Sequence, residues 1–209
     1  MVCAMSADAL RGGIPTCIRT YRVSANQGPD CTIVEAVRAT MATPGMFKRA
    51  WIEEQTVRTA YVGGGLGCNN PTAHMVDEVE TVFPGRLIAT VLSIGSGQLH
   101  SASVPYRSRL SQFLPSSLIY TLDSIVMDCE RANQELSRRF ESTPSIYFRF
   151  NAEQGMQDID QTDLARLSEV RAHTLTYLKD AAVTSRVGGA VESMTRGVGA
   201  VRIMRKSSL

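Results

Sequence analysis

The segment that most restricts this chain is Gly63-Gly64-Gly65-Leu66-Gly67-Cys68-Asn69-Asn70-Pro71. It lies between two unlike patterns. Before it, Val57 to Val62 is rich in β-branched and aromatic residues, the composition of a strand. After it, Asn70 is a good helix N-cap and Pro71 a good first helical residue. Met75, Val79 and Val82 then place apolar side chains at spacings of four and three, until Pro84-Gly85 stops the helix. Leu87 to Ile94 follows as a near-continuous apolar run, the pattern of a strand covered on both faces, and Gly95-Ser96-Gly97 ends it. Strand, glycine turn, helix, strand is the order of an α/β domain.

The residues before this segment continue the alternation. Met1 to Met5 reads as a buried strand and Cys17 to Val23 as a second. Thr32-Ile33-Val34-Glu35 matches a capping box, in which the Thr hydroxyl and the Glu carboxylate satisfy the first backbone donors of a helix. That helix is expected to run to about Ala42, because Pro44 disfavours helical geometry at Thr43. Trp51-Ile52 and Val57 to Val62 read as a strand pair or one interrupted strand. Parallel strands need neighbours and crossovers, so a sheet that begins at residue 1 is expected to have lost some of its neighbours.

Downstream, Leu118, Leu122, Ile125, Cys129, Ala132, Leu136 and Phe140 share a helix face, and Ser145 to Phe150 alternates as a strand. Leu164, Leu167, Val170, Leu175 and Leu178 mark a last long helix. The domain is expected to occupy residues 1–185. Residues 186–209 carry five Arg or Lys and one acid, with Gly188, Gly189, Gly197 and Gly199, and are expected to form a basic, mobile tail.

With 209 residues, 44% of them hydrophobic and 20% charged, the composition is that of one folded domain. A net charge of +2 gives no general reason to expect a nucleic-acid partner. Five widely spread cysteines (Cys3, Cys17, Cys31, Cys68, Cys129) form no paired metal or disulfide spacing, which points to reduced thiols in a cytoplasmic setting. Leu87 to Tyr106 is free of formal charge for 20 residues, yet its serines, glycines, Gln98, His100 and Pro105 disqualify it as a membrane span.

Few residues offer chemistry. The glycine segment can be an anion cradle or a tight turn that needs close packing. Its spacing fits neither G-x-G-x-x-G nor a phosphate loop, since Cys68 and Asn70 stand where glycines would be needed. The serine-nucleophile elbow G-x-S-x-G occurs nowhere, and Ser96 lies in Ile94-Gly95-Ser96-Gly97-Gln98, without the outer glycines. His74, His100 and His173 show no metal spacing. Asp77, Glu78 and Glu80 fall in the first half of a helix, where carboxylates complement the dipole or face solvent.

Three blocks carry a resemblance. Thr32 to Phe47, T-I-V-E-A-V-R-A-T-M-A-T-P-G-M-F, resembles the E-A-x-R-A-T-x-A-x-P-x-x-F helix of patatin-like phospholipases. Tyr61 to Pro71 is similar to the block those proteins write D-G-G-x-x-x-N-N-P, and Val91 to Gly97 is similar to their V-L-S-I-G-T-G. Arg19-Thr20-Tyr21 and Tyr147 to Asn151 resemble the fungal branch of the family. The match covers most of residues 1–180 in consistent order and spacing.

The resemblance implies a three-layer α/β fold, its sheet flanked by helices, and a lipid acyl hydrolase that uses a Ser–Asp dyad and no cofactor or metal. It also implies an N-terminal half bearing an oxyanion loop and the elbow serine; this chain is expected to begin after both, and so to lack N-terminal strands. The dyad Asp position is occupied by Gly63, while Gly64, Gly65, Asn69, Asn70 and Pro71 carry over. Glycine has no group to accept a proton. The expectation is therefore a patatin-like chain that does not hydrolyse lipid by itself, with a lipid or membrane surface as its partner, or else a non-catalytic remnant that binds lipid or a protein. Leu110, Phe113, Leu114, Leu118 and Ile119 around Pro115 read either as an acyl-entry lid or as a helix packed on the core.

Overall fold

Short connections decide the pairing in this protein. The structure, a computed structural model, describes residues 1–10, 13–24, 27–44, 46–97, 129–152, 154–156, 159, 163–197 and 201–202. They fall into two compact units, residues 1–82 with 129–132, and residues 83–97 with 133–202.

The first unit is built on four strands, β1 (Val2–Ser6), β2 (Thr16–Ile18), β3 (Ala50–Glu54) and β4 (Val57–Gly63), in the order β2-β1-β4-β3. Every pairing is antiparallel. Only Gln55 and Thr56 join β3 to β4, and Gln55 takes φ 55° to make so tight a turn. A link that short cannot cross over to make a parallel pair. The α/β class read from the sequence holds, but the main sheet among the described residues is antiparallel. β1 is interior, with β2 on one side and β4 on the other. β2 is also shorter than expected and ends at Ile18.

Helix α1 (Ile33–Met41) covers one face of this sheet. Its start is the capping box: the Thr32 hydroxyl accepts from the Glu35 backbone N–H at 3.2 Å, and a Glu35 oxygen accepts from the Thr32 N–H at 2.8 Å. Ala39 and Ala42 let the helix sit close to Ala4, Ile18, Ala50, Ile52 and Tyr61 in the core. On the opposite face, Cys3, Cys17 and Cys68 pack together. A 3-10 turn (Gly64–Leu66) and helix α2 (Thr72–Val82) complete the described order. Val76, outside the expected stripe, is the fully buried apolar residue of α2.

In the second unit the expected strand Leu87 to Ile94 divides into β5 (Leu87–Ile88) and β6 (Val91–Ile94). Residues 129–139 form α3, of which Asn133 onward belongs to this unit, and β7 (Tyr147–Phe150) pairs in parallel with β6. Val91 and Ser93 are buried while Leu92 is exposed and Ile94 is 78% exposed, so β6 is covered on one face. It alternates because the parallel ladder with β7 turns successive side chains to opposite sides. Leu136 and Phe140 are buried, so this end of the expected helix packs as core. Leu110 to Ile119 and His100 lie outside the described residues.

Helices α4 (Leu167–Lys179) and α5 (Ala181–Arg196) meet at Asp180, whose carboxylate accepts from the Ala182 and Val183 N–H groups. β8 (Val201–Arg202) pairs with β5. Two expectations are corrected here. The helix carrying Leu167 to Leu178 is not the last one, and residues 186–196 are helix, not a mobile tail. The physical reason is visible in α5: Val183, Ala190 and Ser193 are buried on one side, and Gly189 lies against the Phe148 ring. The Ser193 hydroxyl donates to the Ala89 carbonyl at 3.0 Å. Gly189, one of the glycines that suggested freedom, instead permits close packing. Gly197, at φ 59°, ends the helix in the left-handed conformation.

Candidate functional site

The glycine turn is held by backbone from both sides. Gly63 ends β4 opposite Ala4, and its N–H donates to the Ala42 carbonyl at 2.9 Å, fixing it to the end of α1. The Cys68 N–H returns to the Gly64 carbonyl at 2.8 Å and closes the turn. The Thr40 hydroxyl donates to the Cys3 carbonyl at 2.7 Å, tying the same end of α1 to β1.

The three consecutive glycines are not equivalent. A Cβ on Gly64 would lie 2.4 Å from the Cys3 carbonyl oxygen, so this position must be glycine for β1 and the turn to touch. A Cβ on Gly65 would meet only Asn69 Oδ1, at 3.9 Å. At Gly63 the backbone is at φ −54° and ψ 142°, a region open to any residue. A Cβ there would be 3.2 Å from the Thr40 carbonyl oxygen and 3.3 Å from Thr43 Oγ1. The absence of a side chain at 63 is therefore not imposed by backbone conformation. An Asp would be tight, and it would stand beside the Thr43 hydroxyl.

Asn69 and Pro71 are exposed, whereas Asn70 is buried. Asn70 Oδ1 accepts from the Thr72 N–H at 3.3 Å and the Thr72 hydroxyl at 2.7 Å, and its amide donates to the Cys129 carbonyl at 3.2 Å. That is a structural start for α2, as its N-cap chemistry predicts. Thus Gly63, Gly64, Gly65, Asn69, Asn70 and Pro71 come together as one turn. Among the described residues, no group of three or more His, Cys, Asp and Glu can hold a metal ion.

Sequence reasoning missed two clusters in this unit. The Arg19 guanidinium takes Glu78 with both of its forks, Nη2 to Oε2 at 2.7 Å, and the Tyr21 hydroxyl donates to the same carboxylate at 3.0 Å. Glu78 is thus no solvent-facing helix carboxylate. The Arg19 hydrogen bonds hold its carboxyl below the usual range, against the opposing effect of burial. A signal was available in Arg19-Thr20-Tyr21, but its partner lies 59 residues away.

The second cluster is the three thiols. Cys3 and Cys17 are direct cross-strand partners, and Cys68 joins them from the turn. The Cys17 hydrogen bond pulls the Cys3 thiol down, but the Cys68 hydrogen bond and burial outweigh it and push Cys3 up to about 11. The hydrogen bond to Cys3 and burial raise Cys17 further. Both are held as neutral thiols, packing groups rather than nucleophiles. All five cysteines are free.

In the second unit, Gly95-Ser96-Gly97 forms the end of β6, and its geometry is structural too. Asn151 Oδ1 accepts from the Gly97 N–H at 2.9 Å, and Arg149 donates to the Ser93 hydroxyl at 3.0 Å. Ser96 is exposed. His173 lies against Gly155 and 3.8 Å from Glu169.

No protein-family model matches the chain, and no solved structure matches it. Two curated proteins of Arabidopsis thaliana are similar to it. Phospholipase A I is 30% identical over 151 residues, covering 69% of this chain and 11% of that protein. Patatin-like protein 7 is 38% identical over 87 residues, 38% of this chain and 18% of that protein. The chain spans less than a fifth of the length of either relative. The proteins similar to these parts of the chain are thus named for phospholipase activity and for patatin, in keeping with the motifs.

Proposed function

We propose that this chain is part of a patatin-like lipid acyl hydrolase domain, of the fungal type in its motifs, and that it associates with lipid without hydrolysing it unaided. The observation that carries the reading is Gly63. It occupies the place of the dyad acid in an otherwise retained glycine turn, where the backbone itself would accept an acid. The nucleophile elbow is missing from the 209 residues as well. A positioned acid or base contributes about 10²–10⁴-fold to rate, and loss of the nucleophile removes the covalent route. The name of one relative, phospholipase A I, supports a lipid substrate class.

Among the described residues, no helix is long and apolar enough to cross a membrane. Peripheral contact with a lipid surface from the cytoplasm is the corresponding location, and free cysteines favour that compartment. A protein-binding remnant is the alternative reading.

Hydrolysis of p-nitrophenyl butyrate by the purified chain and by its Gly63→Asp variant tests the proposal. Both are expected to stay at the background rate. Turnover by the unaltered chain would overturn the missing-acid argument. Turnover gained only on Gly63→Asp would show that a nucleophile is already present.

A further inference from the structure

We propose that the groove lined by Glu35, Arg38, Arg49, Ala50, Trp51 and Arg58, in the first unit, receives the phosphate-bearing headgroups of an anionic lipid surface. It deepens the lipid-associated reading above, yet rests on residues that the glycine turn does not use. The cavity measures about 200 Å³ and is lined from α1, from the segment Arg49 to Trp51 and from β4. Three arginines and one glutamate line it, so its balance is strongly basic.

Arg38 acts electrostatically on Glu35, so the lining holds two arginine charges in excess of that one carboxylate. None of Arg38, Arg49 and Arg58 has a carboxylate within 4.0 Å among the described residues. Glu53 is the direct cross-strand partner of Arg58, but no ion pair joins them. Glu35 is already engaged, because one of its oxygens accepts from the Thr32 N–H at 2.8 Å and the Thr32 hydroxyl at 2.7 Å. The Arg58 guanidinium lies 4.7 Å from the centre of the Trp51 ring, which holds it in place while leaving its edge N–H groups available.

The surroundings favour a membrane over a small soluble anion. Trp51 is 49% exposed on an edge strand, the amphipathic ring type that settles at headgroup level. Met46 and Phe47, just before Arg49, are exposed, and so is Val34, one turn before Arg38 on the same side of α1. Arginines for phosphate beside apolar side chains for the acyl boundary are the two contributions that interfacial binding combines.

Trp51 is the one tryptophan of the sequence, so its fluorescence reports on this groove alone. The full chain is titrated with phosphatidylcholine vesicles, with phosphatidylcholine vesicles containing phosphatidic acid, and with glycerol 3-phosphate. The expected result is a blue shift and reduced acrylamide quenching with phosphatidic acid vesicles only, reversed by added salt. Each arginine replaced by Gln is expected to weaken vesicle affinity about fivefold. The triple variant Arg38→Gln/Arg49→Gln/Arg58→Gln then falls about a hundredfold.

The corresponding triple Lys variant keeps the charge and is expected to retain binding within about fivefold, which separates lost binding from lost folding. Arg171→Gln, an equal charge change on the exposed face of α4, is expected to leave affinity unaltered. The same shift with glycerol 3-phosphate would overturn the surface in favour of a free phosphate ligand. Vesicle binding that leaves Trp51 unchanged, or survives the triple Gln variant, would overturn the groove. Since binding needs no turnover, failure here is separate from failure of the hydrolase relationship.

Discussion

Gly64 is the residue with least latitude in the turn. Its missing side chain is what lets the turn touch β1, and a methyl group there would enter the Cys3 carbonyl. Gly64→Ala is therefore expected to cost about 1–3 kcal/mol or more by overpacking, read as a lowered thermal midpoint. Gly65→Ala, with open space around it, is expected to be neutral, and Gly63→Asp to fall between the two. Equal effects at 63, 64 and 65 would contradict this ordering.

Glu78 supplies a second test at this scale. Its folded carboxyl titrates below its unfolded value, so its contribution is present at neutral pH and is lost as pH falls below about 4.3, through the folded value. The side chains of Arg19 and Glu78 are only 7% and 11% exposed, so breaking the pair by Glu78→Gln is expected to cost about 3 kcal/mol at pH 7. The same variant should flatten the acid limb of the stability profile. An unchanged acid limb would mean that another carboxylate sets it.

At the scale of elements, what the sequence disclosed was local. The capping box at Thr32 involves four neighbouring residues, and α1 begins where they say it should. Thr32→Ala is expected to destabilise the chain by about 1 kcal/mol in urea titration. The β3–β4 hairpin and the start of α2 at Asn70 were legible for the same reason. Pairing partners were not. That β1 lies between β2 and β4, that Cys3 and Cys17 face each other, and that Arg19 reaches Glu78 depend on contacts between distant segments.

Glycine misled in α5, where composition cannot distinguish a helix that needs close approach from a tail that needs freedom. Gly188 has nothing within 4 Å of where its Cβ would lie, whereas a Cβ on Gly189 would meet the Phe148 ring at 3.5 Å. Gly188→Ala is accordingly expected to stabilise by about 0.5–1 kcal/mol, the ordinary difference inside a helix. A loss of stability on that change would contradict a continuous α5.

For the whole molecule, the site was legible as a motif before it was legible as geometry. The order and spacing of three blocks pointed to patatin-like proteins, and the two similar proteins bear names in keeping with that. What spacing could not reveal is that Gly63 and Gly64 differ in kind, one with a backbone open to any residue but close to Thr40 and Thr43, the other unable to be anything but glycine. The basic groove beside Trp51 was equally hidden, because Arg38, Arg49 and Arg58 come from α1, the residue before β3, and β4, and converge only on folding.

The most direct test of the account is fatty-acid release from phospholipid vesicles by the purified 209-residue chain, run beside labelling with a fluorophosphonate that marks activated serines. The account predicts vesicle binding with neither release nor labelling. A labelled serine whose replacement by Ala abolishes release would contradict it.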